Sequence, residues 1–276
     1  MGPIIALFNF CVRQTLLSRK IWMTLLILAA PCALLLVIRN FAPPVTKAGT
    51  LWEMYHVPAH FLLMSLLVPL VCMVHGTALI GADVEARTIT YLTTRRMHRA
   101  TVLLVKFLAA GLVLVVLCDL TMVGIHFCVL AGRDVPALLP HSNYADWEPV
   151  SDLVGYLTTI PLGVLGFLAI FSLIGLLAAR PIAVSVVYLV AVELILSSIP
   201  ARAKVYSLSH HLRVRMSGMM PHVADLYKLP PDLRDELYPQ GASALPELFG
   251  VIVITLTVSA VLMTVRELVP AKVSRE

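Results

Sequence analysis

The amino-acid sequence predicts an all-α, polytopic membrane protein with six transmembrane helices. Of its 276 residues, 59% are hydrophobic and 13% are charged, whereas a soluble domain carries about 25% charged residues; the mean hydropathy is +0.89. The apolar residues form continuous runs and do not alternate with polar ones, which excludes barrel strands. Each run approaches the roughly 20 residues that a helix needs to cross about 30 Å of hydrocarbon. We therefore expect one transmembrane domain over residues 1–276.

The first twenty residues predict an interfacial helix that leads into the first span as an elbow. Apolar residues recur at i, i+4 spacing on one face of this segment, which suits a helix lying along the membrane surface. They are Ile4, Phe8, Val12 and Leu16. Arg19 and Lys20 follow the apolar stretch instead of preceding it, so the segment does not resemble a cleaved signal.

The predicted spans follow in order and are separated by connections of unequal length. The spans are about 21–38, 60–82, 101–130, 153–179, 182–199 and 246–268. Two outer connections, 39–59 and 131–152, are predicted as modest polar loops. The third, 200–245, has about 46 residues, and loops of that length are functional or internally structured.

The distribution of positive charge predicts a multi-pass protein of the plasma (inner) membrane with both termini in the cytoplasm. In that orientation the inner segments carry twelve basic and four acidic residues, a net charge of +8, and the outer segments carry nine basic and ten acidic residues, a net charge of −1. Lys and Arg in short loops set orientation. The basic residues are spread over separate membrane edges without a recognition motif for nucleic acid, so membrane lipids are the expected contacts.

The long outer segment 200–245 predicts a small extracellular cap. It places Leu208, Leu212, Met216 and Met219 on roughly one face, which indicates a surface-lying or re-entrant helix that ends near Pro221. Imidazole and thioether groups in the same stretch are ligands that Cu(I) prefers. They belong to His210, His211, Met216, Met219, Met220 and His222. Their spacing matches no fixed metal motif, so copper binding stands as a hypothesis beside an amphipathic helix whose methionines face lipid or a partner subunit.

Two acids inside predicted spans, Asp119 and Glu193, are the candidates for a polar substrate path. An ionised acid at the centre of a span costs about 2.5–3.5 kcal/mol on insertion scales. Both lie about 13 residues from the cytoplasmic ends of their helices, so we expect them at similar depth and able to face one another. His126 shares the helical face of Asp119 and is a possible proton partner. Two interpretations remain open: a polar lining of a substrate path, or protonated acids hydrogen-bonded between helices.

The sequence contains no motif for common enzyme chemistry. It has no HExxH zinc motif, no GxSxG nucleophile elbow and no G-x-x-x-x-G-K-[ST] phosphate loop. Its five cysteines lie in or beside apolar helices without a CxxC pattern, so we expect no disulfide framework. The chain is therefore predicted to be neither an enzyme nor a protein that binds ATP through the usual loop.

The segment 83–100, between the second and third spans, is too polar to cross the membrane. Ile89, Leu92, Thr93 and Met97 provide one apolar face for a short helix, and such a face suits docking into a groove. Several cations lie in or just after this segment. They are Arg87, Arg95, Arg96, Arg99 and Lys106. These cations either contact a cytoplasmic partner or serve only to enforce topology.

The same segment resembles the region after the second span of the ABC-2 type permeases, the membrane subunits of ABC exporters. That family has an acidic residue, then G-T-L-x-x-L-L-x-x-P-x-x-R, and a lysine seven residues later. The matching residues here are Glu85, Thr88, Leu92, Arg99 and Lys106, with the same eleven- and seven-residue intervals from Thr88 to Arg99 and from Arg99 to Lys106. Arg87 and Arg96 stand where the family has its glycine and proline.

The resemblance implies a transmembrane permease that works as a dimer, with a second copy or a paralogue, and with a separate ABC ATPase subunit. ATP and Mg would bind in that ATPase, and this chain would hold no cofactor. ATP-driven closure would act on the coupling segment and switch the permease between inward- and outward-open states. The coupling residues would be Glu85, Thr88, Leu92, Arg95, Arg96 and Arg99, with Lys106 at the membrane edge.

Other classes of membrane protein fit the same composition. One alternative is a motor-independent scaffold, an immunity-type protein or a small channel, in which the basic loop serves orientation alone. Another is an intramembrane hydrolase using Asp119, His126 and Glu193, for which no nucleophile or metal set is recognisable. The sequence leaves the cargo and the direction of transport undetermined.

Overall fold

The computed structural model describes residues 2–41, 48–85, 99–131, 147–196, 206–227 and 244–265. Within these ranges the protein consists of helices and turns, without a strand, so the all-α prediction is confirmed. The α-helices are α1 (Pro3–Leu17), α2 (Arg19–Phe41), α3 (Ala48–Val57), α4 (Val68–Glu85), α5 (Arg99–Leu130), α6 (Pro149–Leu177), α7 (Pro181–Tyr188), α8 (Leu208–Met219) and α9 (Leu245–Val265). Two π-helical segments, π1 (Pro58–Leu67) and π2 (Leu189–Ile195), follow α3 and α7, and a 3₁₀-helix spans Pro221–Tyr227.

The described residues include five helical stretches that are long and apolar enough to cross a membrane. They are Arg19–Phe41, Gly49–Leu79, Ala100–Leu130, Pro149–Leu177 and Leu245–Val265. The chain is thus membrane-embedded, as the sequence predicts. The predicted span 182–199 corresponds to a shorter apolar helix, Pro181–Ile195. Its length is about 22 Å at about 1.5 Å per residue, which is less than the roughly 30 Å of hydrocarbon in a bilayer.

The N-terminal segment is a helix, as predicted, but the face that packs against the bundle differs from the predicted apolar face. Helix α1 ends at Leu17, and the extended backbone of Ser18 separates it from α2. Cys11 is its buried residue and Leu7 and Phe8 are half-buried beside it, whereas Ile4 and Leu16 of the predicted apolar face are exposed. Exposed apolar side chains on an interfacial helix suit contact with lipid.

The prediction of a polar loop over 39–59 is wrong in its second half. Helix α3 begins at Ala48 and continues through π1 into α4 with helical backbone at both junctions. Leu51, Trp52 and Tyr55 are at most 2% exposed. These side chains repeat at one face of a helix, and the polar residues between them lowered the local hydropathy enough to hide the pattern. The second crossing therefore starts well before residue 60.

The predicted helix in the long segment 200–245 is present, and it packs against the bundle. Helix α8 follows Ser207, whose hydroxyl accepts a hydrogen bond from the His210 backbone N–H at 3.4 Å. It lies along α6: Leu208 packs on Gly166 and Leu212 on Gly163. Gly166 is 17 residues from Pro149, the first residue of α6, about 25 Å along the helix. The extracellular cap and the surface-lying or re-entrant placement of this helix stay predictions.

Helix α6 lies at the centre of the bundle and is packed against α4, α5, α8 and α9. Its contact with α4 is closest where glycines replace side chains. An ideal Cβ on Gly175 would lie 2.9 Å from the Thr77 carbonyl oxygen, and one on Gly76 would lie 2.8 Å from the Phe171 Cβ. Because the Thr77 oxygen belongs to backbone, a larger residue at 175 forces the two helices apart.

We predict that Gly175→Ala lowers the free energy of unfolding by about 1–3 kcal/mol, since overpacked cores cost that much. The measurement is a denaturant titration of the purified protein in detergent. Gly250→Ala is the matched control, because no atom lies within 4 Å of a Cβ built there, and alanine favours helix by up to about 1 kcal/mol over glycine. If Gly175→Ala and Gly250→Ala changed the free energy of unfolding equally, the close α4–α6 contact would be contradicted.

Candidate functional site

The predicted coupling segment falls mostly outside the described residues. Thr88, Leu92, Arg95 and Arg96 lie between the last residue of α4, Glu85, and the first residue of α5, Arg99, so they are outside the residues that the structure describes. Lys106 lies two turns into α5 and is half-buried. The coupling assignment stays a prediction.

Glu193 is a buried carboxylate that accepts four hydrogen bonds. It is 1% exposed and lies in π2. Its Oε1 accepts from the Tyr188 hydroxyl at 2.7 Å and from the Leu208 backbone N–H at 3.2 Å. Its Oε2 accepts from the Ser207 hydroxyl at 2.8 Å and from the Ser209 backbone N–H at 2.9 Å. We call this group the Glu193 cap.

The Glu193 cap joins the end of one short helix to the beginning of another. The first backbone N–H groups of a helix have no partner within it, and the helix dipole places partial positive charge there. Glu193 supplies a negative charge and two acceptor oxygens at this point of α8. The carboxylate therefore fixes α8 to π2 although residues 197–205 of the chain separate them.

Asp119 and His126 lie apart from the Glu193 cap. Asp119 is half-buried, and its Oδ1 is buried without a hydrogen-bond partner. The His126 Nδ1 lies 3.3 Å from the Tyr55 hydroxyl oxygen. Neither residue forms a hydrogen bond with the other or with Glu193. The structure thus assigns Glu193 a capping role. Asp119 and Glu193 form no hydrogen bond with each other.

A second polar group, which sequence reasoning missed, joins α3 to the first turns of α6. The His56 Nε2 lies 3.1 Å from Oδ2 of Asp152, and the His56 Nδ1 lies 3.0 Å from the Tyr156 hydroxyl oxygen. The Trp147 indole N–H donates to the same Oδ2 at 2.8 Å. His56 and Tyr156 are 0% exposed, and Asp152 is 7% exposed. We call these four residues the His56 cluster.

The two ring nitrogens of His56 differ in their contacts. Nδ1 forms a hydrogen bond with the Tyr156 hydroxyl, whereas Nε2 lies at ion-pair distance from the Asp152 carboxylate without forming a hydrogen bond. Protonation of His56 would make both ring nitrogens donors. Tyr55 packs edge-on against the His56 ring, with centroids 5.0 Å apart. The cluster therefore places a histidine and a carboxylate side by side inside the bundle.

Another buried histidine, His60, lies one helical turn after His56, in π1. His60 is 1% exposed, its Nε2 is hydrogen-bonded to the Tyr227 hydroxyl, and its Nδ1 is buried without a partner. The Arg213 guanidinium of α8 lies over the Tyr227 ring, 5.6 Å from its centroid, at the distance of a cation–π contact. Helix α8 thus contacts the Glu193 cap at its first residues and Tyr227, the partner of His60, through Arg213 near its middle.

Both π-helical segments carry a buried ionisable side chain. Glu193 lies in π2 and His60 lies in π1. π-Helical turns are rare and occur frequently at functional sites. One sequence signal could have indicated this region: Trp52, Tyr55 and His56 recur at helical spacing in a segment whose hydropathy predicts a polar loop.

The six predicted copper ligands differ in their burial and in their neighbours. Met216 and Met220 are buried, and Met220 packs against Gly155 of α6, whereas Met219 is 41% exposed. His210 is buried, and His211 and His222 are half-buried. Among the described residues, no group of three or more His, Cys, Asp or Glu side chains is arranged to hold a metal ion.

Comparison with models of known protein families finds no match for this chain. Comparison with curated proteins finds no match either. The function is therefore inferred from the sequence pattern and the geometry of the helices.

Proposed function

We propose that this chain is the permease subunit of an ATP-driven ABC-2 type transporter, an exporter that works as a dimer with separate ATPase subunits. The observation that carries the proposal is the pattern from Glu85 to Lys106, which lies between the end of α4 and the first turns of α5. Coupling to a motor requires a cytoplasmic segment between two crossings, and this segment has the charge and the apolar face for it.

The arrangement of α7, π2 and α8 supports a transport role. In this proposal they form one discontinuous crossing, with α7 and π2 in its inner part and α8 in its outer part, where it packs on α6. With this crossing the spans would number six and both termini would lie on the cytoplasmic side, as the charge distribution favours. Broken helices with half-helix ends inside the membrane are typical of substrate and ion sites in transporters.

In this proposal the mechanism is alternating access. ATP-driven closure of the partner pulls on residues 86–98, and the movement passes through α4 to α6, because these two helices meet at Gly76 and Gly175 with backbone in contact. The Glu193 cap attaches α8 to π2, and the His56 cluster attaches α3 to α6. Two packings of these helices, biased by ATP at a distant site, give the inward- and outward-open states.

The test is photo-crosslinking in the native host. A benzoyl-phenylalanine at Leu92 is expected to crosslink an ATPase that carries a phosphate-loop sequence, identified by mass spectrometry. The same probe at Val150, which is 67% exposed near the opposite end of the bundle, is the control and is expected to give no such product. Loss of the product in an Arg95→Ala/Arg96→Ala/Arg99→Ala variant would support the coupling role of these arginines.

A correctly inserted protein that gives no ATPase product from Leu92 would contradict the proposal. That result would favour the motor-independent class, a scaffold, an immunity-type protein or a small channel.

A further inference from the structure

A pocket of about 250 Å³ lies where the elbow helix meets the bundle. Its walls are α1, the first residues of α2, the last turns of the second crossing and the early part of α5. The polar side chains that line it include Gln14, Thr15, Ser18, Lys20 and Lys106.

The pocket carries two cationic side chains. Lys20 is exposed at its mouth and Lys106 is half-buried in its wall. No acidic side chain is among the described residues that line it. Burial raises the pKa of the Cys11 thiol, so this group stays neutral at physiological pH and adds no negative charge. His75, which also lines the pocket, forms a hydrogen bond through its Nε2 with the Thr24 hydroxyl at 2.9 Å. The pocket therefore favours an anion.

A bilayer placed around the candidate crossing helices would put the pocket near the depth of lipid phosphates. Lys20 follows the first residue of a membrane-crossing helix, and Lys106 is six residues beyond the start of another, Ala100–Leu130, which is about 9 Å. A helix of 31 residues is about 46 Å long, and a bilayer with its headgroups is about 40–45 Å thick. The two lysines thus lie between the headgroups and the edge of the hydrocarbon.

We infer that this pocket binds the phosphate group of an anionic phospholipid, with Lys20 and Lys106 as the cationic contacts and the Gln14 side-chain amide as a hydrogen-bond donor beside them. The volume admits a headgroup and not a whole lipid, because pockets that bury drug-sized ligands are about 300–1,000 Å³. The acyl chains would then lie along the exposed apolar side of α1. The bound lipid would attach the elbow helix to α5, and this assignment holds with or without an ATPase partner.

The test counts bound lipid by native mass spectrometry. Full-length protein in mild detergent is titrated with phosphatidylglycerol or phosphatidylcholine of identical acyl chains. We expect the wild type to bind phosphatidylglycerol about 25-fold more tightly than phosphatidylcholine, since each of the two lysines contributes roughly fivefold at an anionic surface. Lys20→Gln/Lys106→Gln is expected to lose this preference, and Lys20→Arg/Lys106→Arg to keep it. Arg13→Gln/Arg180→Gln removes the same charge from exposed positions outside the pocket and is expected to keep it too.

Three results would overturn the inference. An unchanged preference in the lysine-to-glutamine variant excludes the pocket as the site. An equal loss in the arginine control shows that general surface charge is responsible. Displacement of phosphatidylglycerol by millimolar inorganic phosphate shows that the pocket takes soluble phosphates instead of a lipid headgroup. A gel-filtration profile like that of the wild type is the condition for comparing variants.

Discussion

Glu193→Ala is expected to lower the free energy of unfolding by about 3–5 kcal/mol. The substitution leaves two backbone N–H groups of α8 and the hydroxyls of Tyr188 and Ser207 without their acceptor. Each unsatisfied buried group costs about 1–3 kcal/mol, and the hydroxyls recover part of this loss by rotating to other acceptors. The measurement is a denaturant titration in detergent.

Two further variants separate capping from loss of charge in general. Glu193→Gln keeps one acceptor oxygen but turns an NH₂ group toward donors, so we expect an intermediate loss of about 1–2 kcal/mol. Glu247→Ala removes an exposed carboxylate from the first turn of α9 and should cost below about 1 kcal/mol. If Glu193→Ala lowered the free energy of unfolding no more than Glu247→Ala, the capping role of Glu193 would be contradicted.

The second large effect is expected in the His56 cluster. His56→Leu and Asp152→Leu should each cost about 3–5 kcal/mol, because either one leaves a buried polar partner uncompensated. The double variant should cost less than the sum of the single variants by about 2 kcal/mol, since a buried pair replaced by apolar side chains leaves no lone charge. Unfolding of the four proteins under identical conditions gives the coupling energy.

The control for this cycle pairs Asp152 with a histidine from the opposite end of the bundle. His75 lies one residue before Gly76, which contacts Phe171 of α6, and Phe171 is 19 residues from Asp152 along that helix. His75→Leu and Asp152→Leu should therefore be additive within about 0.5 kcal/mol. A coupling energy near zero for His56 and Asp152 as well would refute their contact.

The sequence predicts most of the helices because hydrophobic length is a local property. The runs that became α2, α5, α6 and α9 need no tertiary information, and the apolar face of α8 follows from its spacing. The His56 cluster is different: His56 and Tyr156 are 100 positions apart, and no periodicity within a segment indicates such a contact.

Glu193 shows why spacing within one segment does not identify a tertiary partner. The sequence predicts a buried Glu193 at a depth similar to that of Asp119. In the structure Glu193 is 1% exposed, and its carboxylate oxygens accept from N–H groups of a second helix that begins at Leu208. A carboxylate near the end of an apolar run, followed by serines about fifteen residues later, fits a cap as well as it fits a pore lining.

The short helix α8 has a consequence for how the protein is made. Its 12 residues include Arg213, Arg215 and two histidines, so it has neither the length nor the polarity to leave the translocon for lipid on its own. In the proposed discontinuous crossing, α8 would enter the bilayer only by packing onto α6 at Gly163 and Gly166. We therefore expect α8 to insert after α6 during synthesis, so that the order of synthesis contributes to the fold.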